Sequence, residues 1–420
     1  MRVSIPAAIR GAAGKRNGGR GGWAAQTATA NADKDIVETN RQVQGKRLLV
    51  VSHPAVLSVN QEVYRELHRR GWQLTIVVPD RWRHGYSATD IAPTALPGLE
   101  RSLLPTRVTF RGKPQRYFHI VRPRMVCSSV RPDVAFVEAE PYSLVTTQWS
   151  RAFKAMRIPF GVQCYENIDR ALPAPVRHLR SLVLRDAAFV AARSDSAGAL
   201  ARTWGARGEV ALAPPAVPAW EDIPRGAERP FTVGYAGRLV PSKGLADLLA
   251  ATRTLEAPVE MVLIGDGEMR AELEDQPIPG SKVRVVRGLT HEQMAPAYSQ
   301  LDVLVLPSHT TATWKEQFGR VIVEALWCGV PVVGSDSGEI PWLIGLTEGG
   351  LVFPEGDRDA LAAQLAKLRS SPELRGSLAR AGRETVQRLF SVEAATDQLE
   401  RLLVHAVEGA QVEEPVASRV

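Results

Sequence analysis

From Lys46 onward the sequence repeats one pattern: a short apolar run, a turn, then a stretch with helical spacing. "KRLLVVS" ends at His53-Pro54. "SVNQEVYRELHRRG" follows, with Val59, Val63 and Leu67 spaced as on one helix face and Gly71 as its stop. "WQLTIVVP", "DVAFVEAE", "PFGVQCYE", "AAFVAARS" and "EVALAPP" continue the series, with helical stretches between most of them. Continuously apolar strands alternating with helices predict a parallel sheet covered on both faces. The pattern stops at "APPAVPAWEDIPRGAERP", residues 213–230, which is dense in proline and has neither period. It then restarts with "FTVGYAG", "VEMVLIGDG", "KVRVVRG", "LDVLVLPS" and "PVVGSD". A chain of 420 residues exceeds one ordinary core, so the expectation is two doubly wound, Rossmann-like α/β units at 46–215 and 230–385, joined by a linker at 216–229. Ligands of such sheets bind beyond the carboxyl ends of the strands, here in a cleft between the units.

The flanks differ from this body. Residues 1–45 carry seven Lys and Arg against three Asp and Glu, that is +4 of the net +7, without periodicity. They read as a disordered basic tail: a bland leader, a start codon placed too early, or an arm for nucleic acid, of which nucleic acid is not expected. Leu361, Leu365 and Leu368 mark one late helix, and Leu399, Leu402 and Leu403 mark a last one. The span 386–407 is expected to pack back on the first unit, with 408–420 a disordered end. Cys127, Cys164 and Cys328 are odd in number and far apart, which suits a reducing, cytoplasmic setting better than disulfides or a zinc site. No apolar stretch approaches the ~18 residues that span a bilayer. The first residues lack the apolar core of a secretory signal.

The chemistry concentrates in the second series. In "GYAGRLVPSKGL" a strand ends at Gly237, followed by Arg238 and Lys243. Two cations beyond a strand end can clamp a diphosphate, one as a fork and one as a point charge, or can simply be a solvated face. "LIGDGEM" closes another strand with Gly265, Asp266 and Gly267. Glycine there permits positive φ and close backbone approach, and Asp266 either serves the site or caps the next helix. "EQFGRVIVEALWCGVPVVGSD", 316–336, places a helix between Gly319 and Gly329. The free N–H groups of Phe318, Gly319, Arg320 and Val321 would form an anion site. Glu316 precedes that helix, and Glu324 lies about one turn inside it, within an apolar run. Glu324 is either on the helix's wet side or aimed at a ligand. A carboxylate can take both hydroxyls of a ribose, and another can hold sugar hydroxyls. Cations, helix terminus and two carboxylates together suit a nucleotide diphosphate sugar.

This set resembles the C-terminal domain of retaining glycosyltransferases of family 4, which have the GT-B fold. Glu316 and Glu324, seven residues between them, match that family's paired glutamates. "GRLVPSKG" matches its Gly-Arg-x-x-x-x-Lys-Gly motif, and "LIGDGEM", "YSQLDVLVLPS" and "ALWCGVPVVGSDSGEIPWLI" match further blocks. The resemblance is strong over roughly 230–400 and looser over 46–215. It implies that Arg238 and Lys243 neutralise the leaving diphosphate, that Glu316 contacts the transferred sugar and that Glu324 points at the donor ribose. The backbone at Phe318, Gly319 and Arg320, with Gly237, Gly265 and Asp266, would line the donor site. It further implies retention of configuration by front-face attack, without a metal or other cofactor and without an obligatory carboxylate nucleophile. The first unit would hold a sugar or lipid-linked acceptor, in polysaccharide or glycolipid biosynthesis.

The first unit departs from the family pattern. "SHPAVLSVNQ" stands where many members carry a glycine pair, and Tyr165, Glu166 and Asn167 stand where many carry a histidine. Glu166, Asn167 and His53 are the acceptor-side candidates, with helix capping as the plainer role of the first two. No Asp-x-Asp metal site is expected: "DRD" at 357–359 opens a helix, and "DKD" at 33–35 lies in the tail. An epimerase of the same fold, which lacks the Arg–Lys motif, and a non-catalytic binding relative are the alternatives. Residues 101–131 hold eight Lys and Arg and no Asp or Glu, interleaved with Phe110, Tyr117, Phe118 and Ile120. That stretch is either a solvated basic face whose aromatic residues belong to the core, a cluster for an acidic acceptor, or a surface for the anionic inner leaflet.

Overall fold

A computed structural model describes residues 43–83, 89–221, 223, 229–256, 258–276 and 283–412. The basic tail and the last eight residues lie outside the described residues. The expected α/β class holds. In the first lobe the strands are β1 (Arg47–Ser52), β2 (Gln73–Pro79), β3 (Trp82–Arg83), β4 (Asp90–Ile91), β5 (Leu103–Thr106), β6 (Val134–Glu138), β7 (Phe160–Cys164), β8 (Phe189–Ala192) and β9 (Glu209–Leu212). Seven of them form a parallel sheet in the order β5-β2-β1-β6-β7-β8-β9, and β3 pairs with β4 as a small antiparallel ribbon. β6, β7 and β8 are buried along their whole length, as expected of strands covered on both faces.

The second lobe contains β10 (Phe231–Ala236), β11 (Val259–Ile264), β12 (Val283–Val286), β13 (Val303–Leu306), β14 (Val332–Ser335) and β15 (Gly350–Phe353). They form a parallel sheet in the order β12-β11-β10-β13-β14-β15. Strand order reverses between β1 and β6 in one sheet and between β10 and β13 in the other. These are the positions where doubly wound sheets open a crevice.

Two details depart from the sequence reading. The first helix starts at Glu62, after a 3-10 turn at Ser58–Gln61, and buries Tyr64 and Leu67, leaving Val59 and Val63 partly exposed. The tighter 3-10 winding puts Val59 out of phase with the α-helix. At the other end the chain runs as helices Pro372–Phe390 and Val392–Val412. The break is at Ser391, whose hydroxyl accepts from Ala394 N at 3.1 Å, so it falls five residues beyond 386, and the last helix runs past 408. That last helix lies on the first lobe. Glu400 is buried there and receives Trp72 Nε1 at 2.8 Å and Arg70 at 2.7 Å. Where it leaves the second lobe, Val217 N donates to the Phe390 carbonyl at 2.7 Å, and Val217 bridges Ser391. The outgoing and returning crossings between the lobes therefore run side by side.

The basic stretch 101–131 folds around a bridge between Val108 and His119. Its underside is core: Tyr117 and His119 are buried among Trp82, His53 and Trp149. Burial pushes the His119 imidazole down to about 3, so it is neutral. Its outer side exposes Phe110 (60%), Ile120 (60%) and Phe118, with Met125 (64%) from the next helix, amid Arg107, Lys113, Arg116, Arg122 and Arg124. Arg111 is tied to Asp90 at 3.4 Å.

Candidate functional site

The site assembles where β10 and β13 diverge. Beyond β10 the chain turns through Gly237 and the exposed Arg238, a turn held by Tyr235, whose buried hydroxyl donates to the Arg238 carbonyl at 2.7 Å. Beyond β11 the turn at Gly265 and Asp266 lies against it. Gly265 has φ +147, and a Cβ there would stand 1.9 Å from the Gly237 carbonyl oxygen, so the close approach expected of this glycine is met. Asp266 does not cap a helix. The next helix begins at Arg270, and the carboxylate receives Gly267 N at 2.9 Å and Arg270 at 3.5 Å. Gly237, Arg238, Gly265 and Asp266 line one side of a cleft of about 430 Å³, with Gly288, Leu289, Met294 and Val321 on the other.

Lys243 closes the 3-10 turn Pro241–Lys243 and reaches the segment beyond β13. Its Nζ lies 2.6 Å from Glu316 Oε2 and 4.3 Å from the centre of the Trp314 ring. Ser308 Oγ donates to the same carboxylate oxygen at 3.1 Å. Gly319, at φ +75, then caps the helix Arg320–Trp327, and Gly329 at φ +67 follows its end, as the spacing predicted. Glu324 is 6% exposed, so it does not sit on a wet face. Tyr298 donates to its Oε2 at 2.8 Å, and Arg320 Nε lies 2.9 Å from Oε1. Burial nonetheless raises the pKa of this carboxyl. One turn behind, Asp247 receives Arg358 at 2.6 Å and lies 2.6 Å from His309, which fixes the base of the β13 segment.

The strand ends of the first lobe carry a second set of polar groups. Glu138, at the end of β6, takes hydrogen bonds from Ser52 (2.6 Å), Tyr64 (2.7 Å) and Arg193 (3.1 Å). Beyond β7, Tyr165 N donates at 2.8 Å to Glu140. Glu140 is buried, and burial pushes its carboxyl up to about 8. Glu166 receives Arg170 at 2.7 Å and Tyr142 at 3.1 Å. Neither Glu166 nor Asn167 caps a helix, since the next one begins at Ala174. Asn167 instead crosses to the second lobe, where its Nδ2 donates to the Glu316 carbonyl at 2.7 Å. His53 packs tilted against Trp82 and edge-on to Tyr117, with ring centres at 4.9 and 5.5 Å. Sequence reasoning missed Tyr298, Ser308, Glu138, Arg193 and Glu339, because single polar residues inside apolar patterns carry no signal of what they face. Among the described residues no group of His, Cys, Asp and Glu is placed to hold a metal, the three cysteines form no disulfide, and no helix is long and apolar enough to cross a membrane.

Residues 218–385 match the family described as Glycosyl transferases group 1. Among curated proteins, a D-inositol 3-phosphate glycosyltransferase of Saccharomonospora viridis is 32% identical over 183 residues, covering 40% of this chain and 41% of that protein. A lipopolysaccharide core biosynthesis glycosyltransferase of Rhizobium meliloti, LpsE, is 33% identical over 168 residues, 40% of this chain and 48% of that one. The chain thus spans about half the length of the curated relatives it matches. Solved structures share the whole architecture. A sucrose-phosphate synthase from Thermosynechococcus elongatus superposes with a TM-score of 0.62 at 19% identity, over 85% of this chain and 98% of that one. HepE of Anabaena in complex with UDP gives 0.61 at 18%, over 85% and 99%. The two facing Rossmann-like lobes have the GT-B fold of these solved structures.

Proposed function

We propose that this chain, whose residues 218–385 are a group 1 glycosyltransferase domain, moves a sugar from a nucleotide diphosphate sugar to a hydroxyl acceptor with retention of configuration. The observation that carries the reading is the convergence of Arg238, Lys243, Glu316 and the N-terminus of the helix Arg320–Trp327 at one strand-order reversal. The base and ribose would enter the 430 Å³ cleft beside Gly265, Asp266 and Val321, and Glu324, one turn beyond Val321 on the same helix, would reach the ribose. The diphosphate would lie between Arg238, Lys243 and the N–H groups of Phe318 to Val321, which supply positive charge without a metal. Glu316 is already neutralised by Lys243 and Ser308. That suits a carboxylate that orients sugar hydroxyls better than one that attacks carbon. Catalysis then rests on positioning and on stabilising the departing diphosphate, whose oxygen is the available base for the acceptor proton.

HepE has been solved with UDP and with UDP-glucose, and curated relatives are named for D-inositol 3-phosphate, lipopolysaccharide core and capsular polysaccharide. These names support a nucleotide-sugar donor and an acceptor in polysaccharide or glycolipid assembly. The exposed Phe110, Ile120 and Met125 beside the exposed Lys113, Arg116 and Arg122 favour an acceptor held at an anionic membrane face. The test is a panel of UDP-, GDP- and ADP-linked sugars. One nucleotude class should raise the melting temperature by about 2–5 °C. Its sugar should pass to an added alcohol with the anomeric configuration kept, read by NMR. Absence of any nucleotide-dependent shift counts against the site, an inverted product against the mechanism, and sugar conversion without acceptor favours an epimerase.

A further inference from the structure

Asn167 belongs to the first lobe, yet both of its hydrogen bonds are made to the second. Its Nδ2 donates to the Glu316 carbonyl at 2.7 Å and to Glu339 Oε1 at 3.3 Å. The backbone carbonyl can only accept, so the amide orientation is set: nitrogen faces the second lobe, and Oδ1 is buried with no partner among the described residues. Asn167 and Glu339 are both buried.

The carbonyl that Asn167 holds is the hub of the segment beyond β13. Glu339 N donates to the same oxygen at 3.0 Å. Gly338, at φ +58, packs so tightly there that a Cβ would lie 2.1 Å from it. The Glu316 side chain is pinned separately by Lys243 and Ser308. The residue is thus held at its backbone by one lobe and its neighbour, and at its carboxylate by the donor side. Behind Asn167, the turn is stiffened by Tyr165 N on Glu140 and by Arg170 and Tyr142 on Glu166. Trp342 Nε1, which donates to Asp195 at 3.0 Å, and Arg320, which donates to Asn60 at 3.4 Å, also cross between the lobes. Neither of them touches Glu316.

We infer that Asn167 is a positioning residue: it latches the first lobe onto the Glu316 backbone, so that closing the lobes completes the support of the sugar-facing residue that Lys243, Ser308 and Glu339 begin. The bond spans the cleft and is 2.7 Å long, so parting the lobes by an ångström or two at this point breaks it. The catalytic consequence rests on the proposed role of Glu316; the latch itself does not.

Two measurements on the full chain separate these. Asn167→Asp keeps the shape, removes both N–H donors and sets an acceptor against a carbonyl and a carboxylate. Hydrogen exchange followed by mass spectrometry should then speed up by about tenfold or more across residues 309–319 and 337–341, with β10, β13 and β14 unchanged. Unchanged exchange in those segments overturns the latch. Asn167→Ala adds no charge and should show the same pattern, more weakly, and serves if the aspartate variant fails to fold. Adding Glu339→Gln to Asn167→Asp supplies a donor from the opposite lobe and should recover part of the protection. With whichever member of the panel of UDP-, GDP- and ADP-linked sugars the parent turns over, kcat should fall by roughly 30-fold or more while the Kd of the free nucleoside diphosphate stays within about threefold. An unchanged kcat, or parallel loss of nucleotide binding, overturns the positioning role. A parent that turns over no member of that panel refutes the donor reading, and exchange alone then decides the latch.

Discussion

Lys243 Nζ and Glu316 Oε2 stand 2.6 Å apart, joining the end of the β10 turn to the segment beyond β13 across the reversal of strand order. A diphosphate arriving here meets a lysine that already has a carboxylate partner, so the donor must share that charge. Lys243→Ala and Arg238→Ala should each cost ~2–4 kcal/mol of transition-state stabilisation, roughly 30- to 1,000-fold in turnover, with the fold intact by circular dichroism. Near-normal turnover in both, with a confirmed donor, would remove this pair from the mechanism.

Glu324 and Tyr298 can be separated by experiment. Glu324→Gln keeps an acceptor for the Tyr298 hydroxyl but removes the charge that Arg320 and a ribose would share. It should raise the donor KM by about tenfold or more with little change in kcat, because the ribose contact changes little during reaction. Tyr298→Phe should instead lower stability by ~1–2 kcal/mol and leave donor KM unaltered. Initial-rate kinetics and thermal melts on both variants distinguish the two roles.

With cations and a helix terminus supplying positive charge, the proposed transfer should persist in EDTA at undiminished rate. Activity abolished by EDTA and restored by magnesium or manganese contradicts that account.

Glu140 gives a pH signature. Its carboxyl is pushed up to about 8, first by burial and then by the neighbouring Glu166, against the stabilising Tyr165 N–H. Between the ordinary carboxylate range and that value, the folded chain keeps a proton that the unfolded chain has released. Stability therefore falls as pH rises through this window and is unaffected below it. Glu140→Gln, which retains an oxygen for Tyr165 N, should match the parent near pH 4.5 and exceed its melting temperature by about 3 °C or more at pH 8.5. Equal melting temperatures at both pH values would show that the carboxyl is not held protonated.

The face carrying Phe110, Ile120 and Met125 should bind anionic vesicles at low salt and release them at moderate salt. Replacing Lys113 and Arg116 by Glu should abolish the binding, and Phe110→Ser with Ile120→Ser should weaken it. Sedimentation that is the same with neutral vesicles, or absent with both, contradicts a membrane role for this face.

Much of this architecture is visible before any coordinates. Strand runs such as "DVAFVEAE" and "LDVLVLPS" are apolar because both faces of a parallel sheet are covered, and that pattern alone announces the fold class. Gly265 and Gly319 were readable because their backbone geometry tolerates little else. What stayed hidden is pairing over distance. Nothing near Tyr298 in the sequence says that its hydroxyl meets Glu324, 26 residues on, and nothing near Asn167 names a carbonyl 149 residues away. The split of 101–131 into a buried Tyr117 and an exposed Phe110 was likewise closed to inspection, because the folded-back segment has no regular period to assign faces.

The side-by-side crossings at Val217 and Phe390 also bear on how the lobes move. One covalent connection alone would act as a swivel, free to bend and twist in any direction. Two, hydrogen-bonded to each other at 2.7 Å, act as the pin of a door: they leave one axis of rotation and block shear along the cleft. The residues facing each other across it, Asn167 opposite Glu316 among them, then meet in the same register at every closure. The final helix, anchored to the first lobe through Glu400, is what doubles the pin.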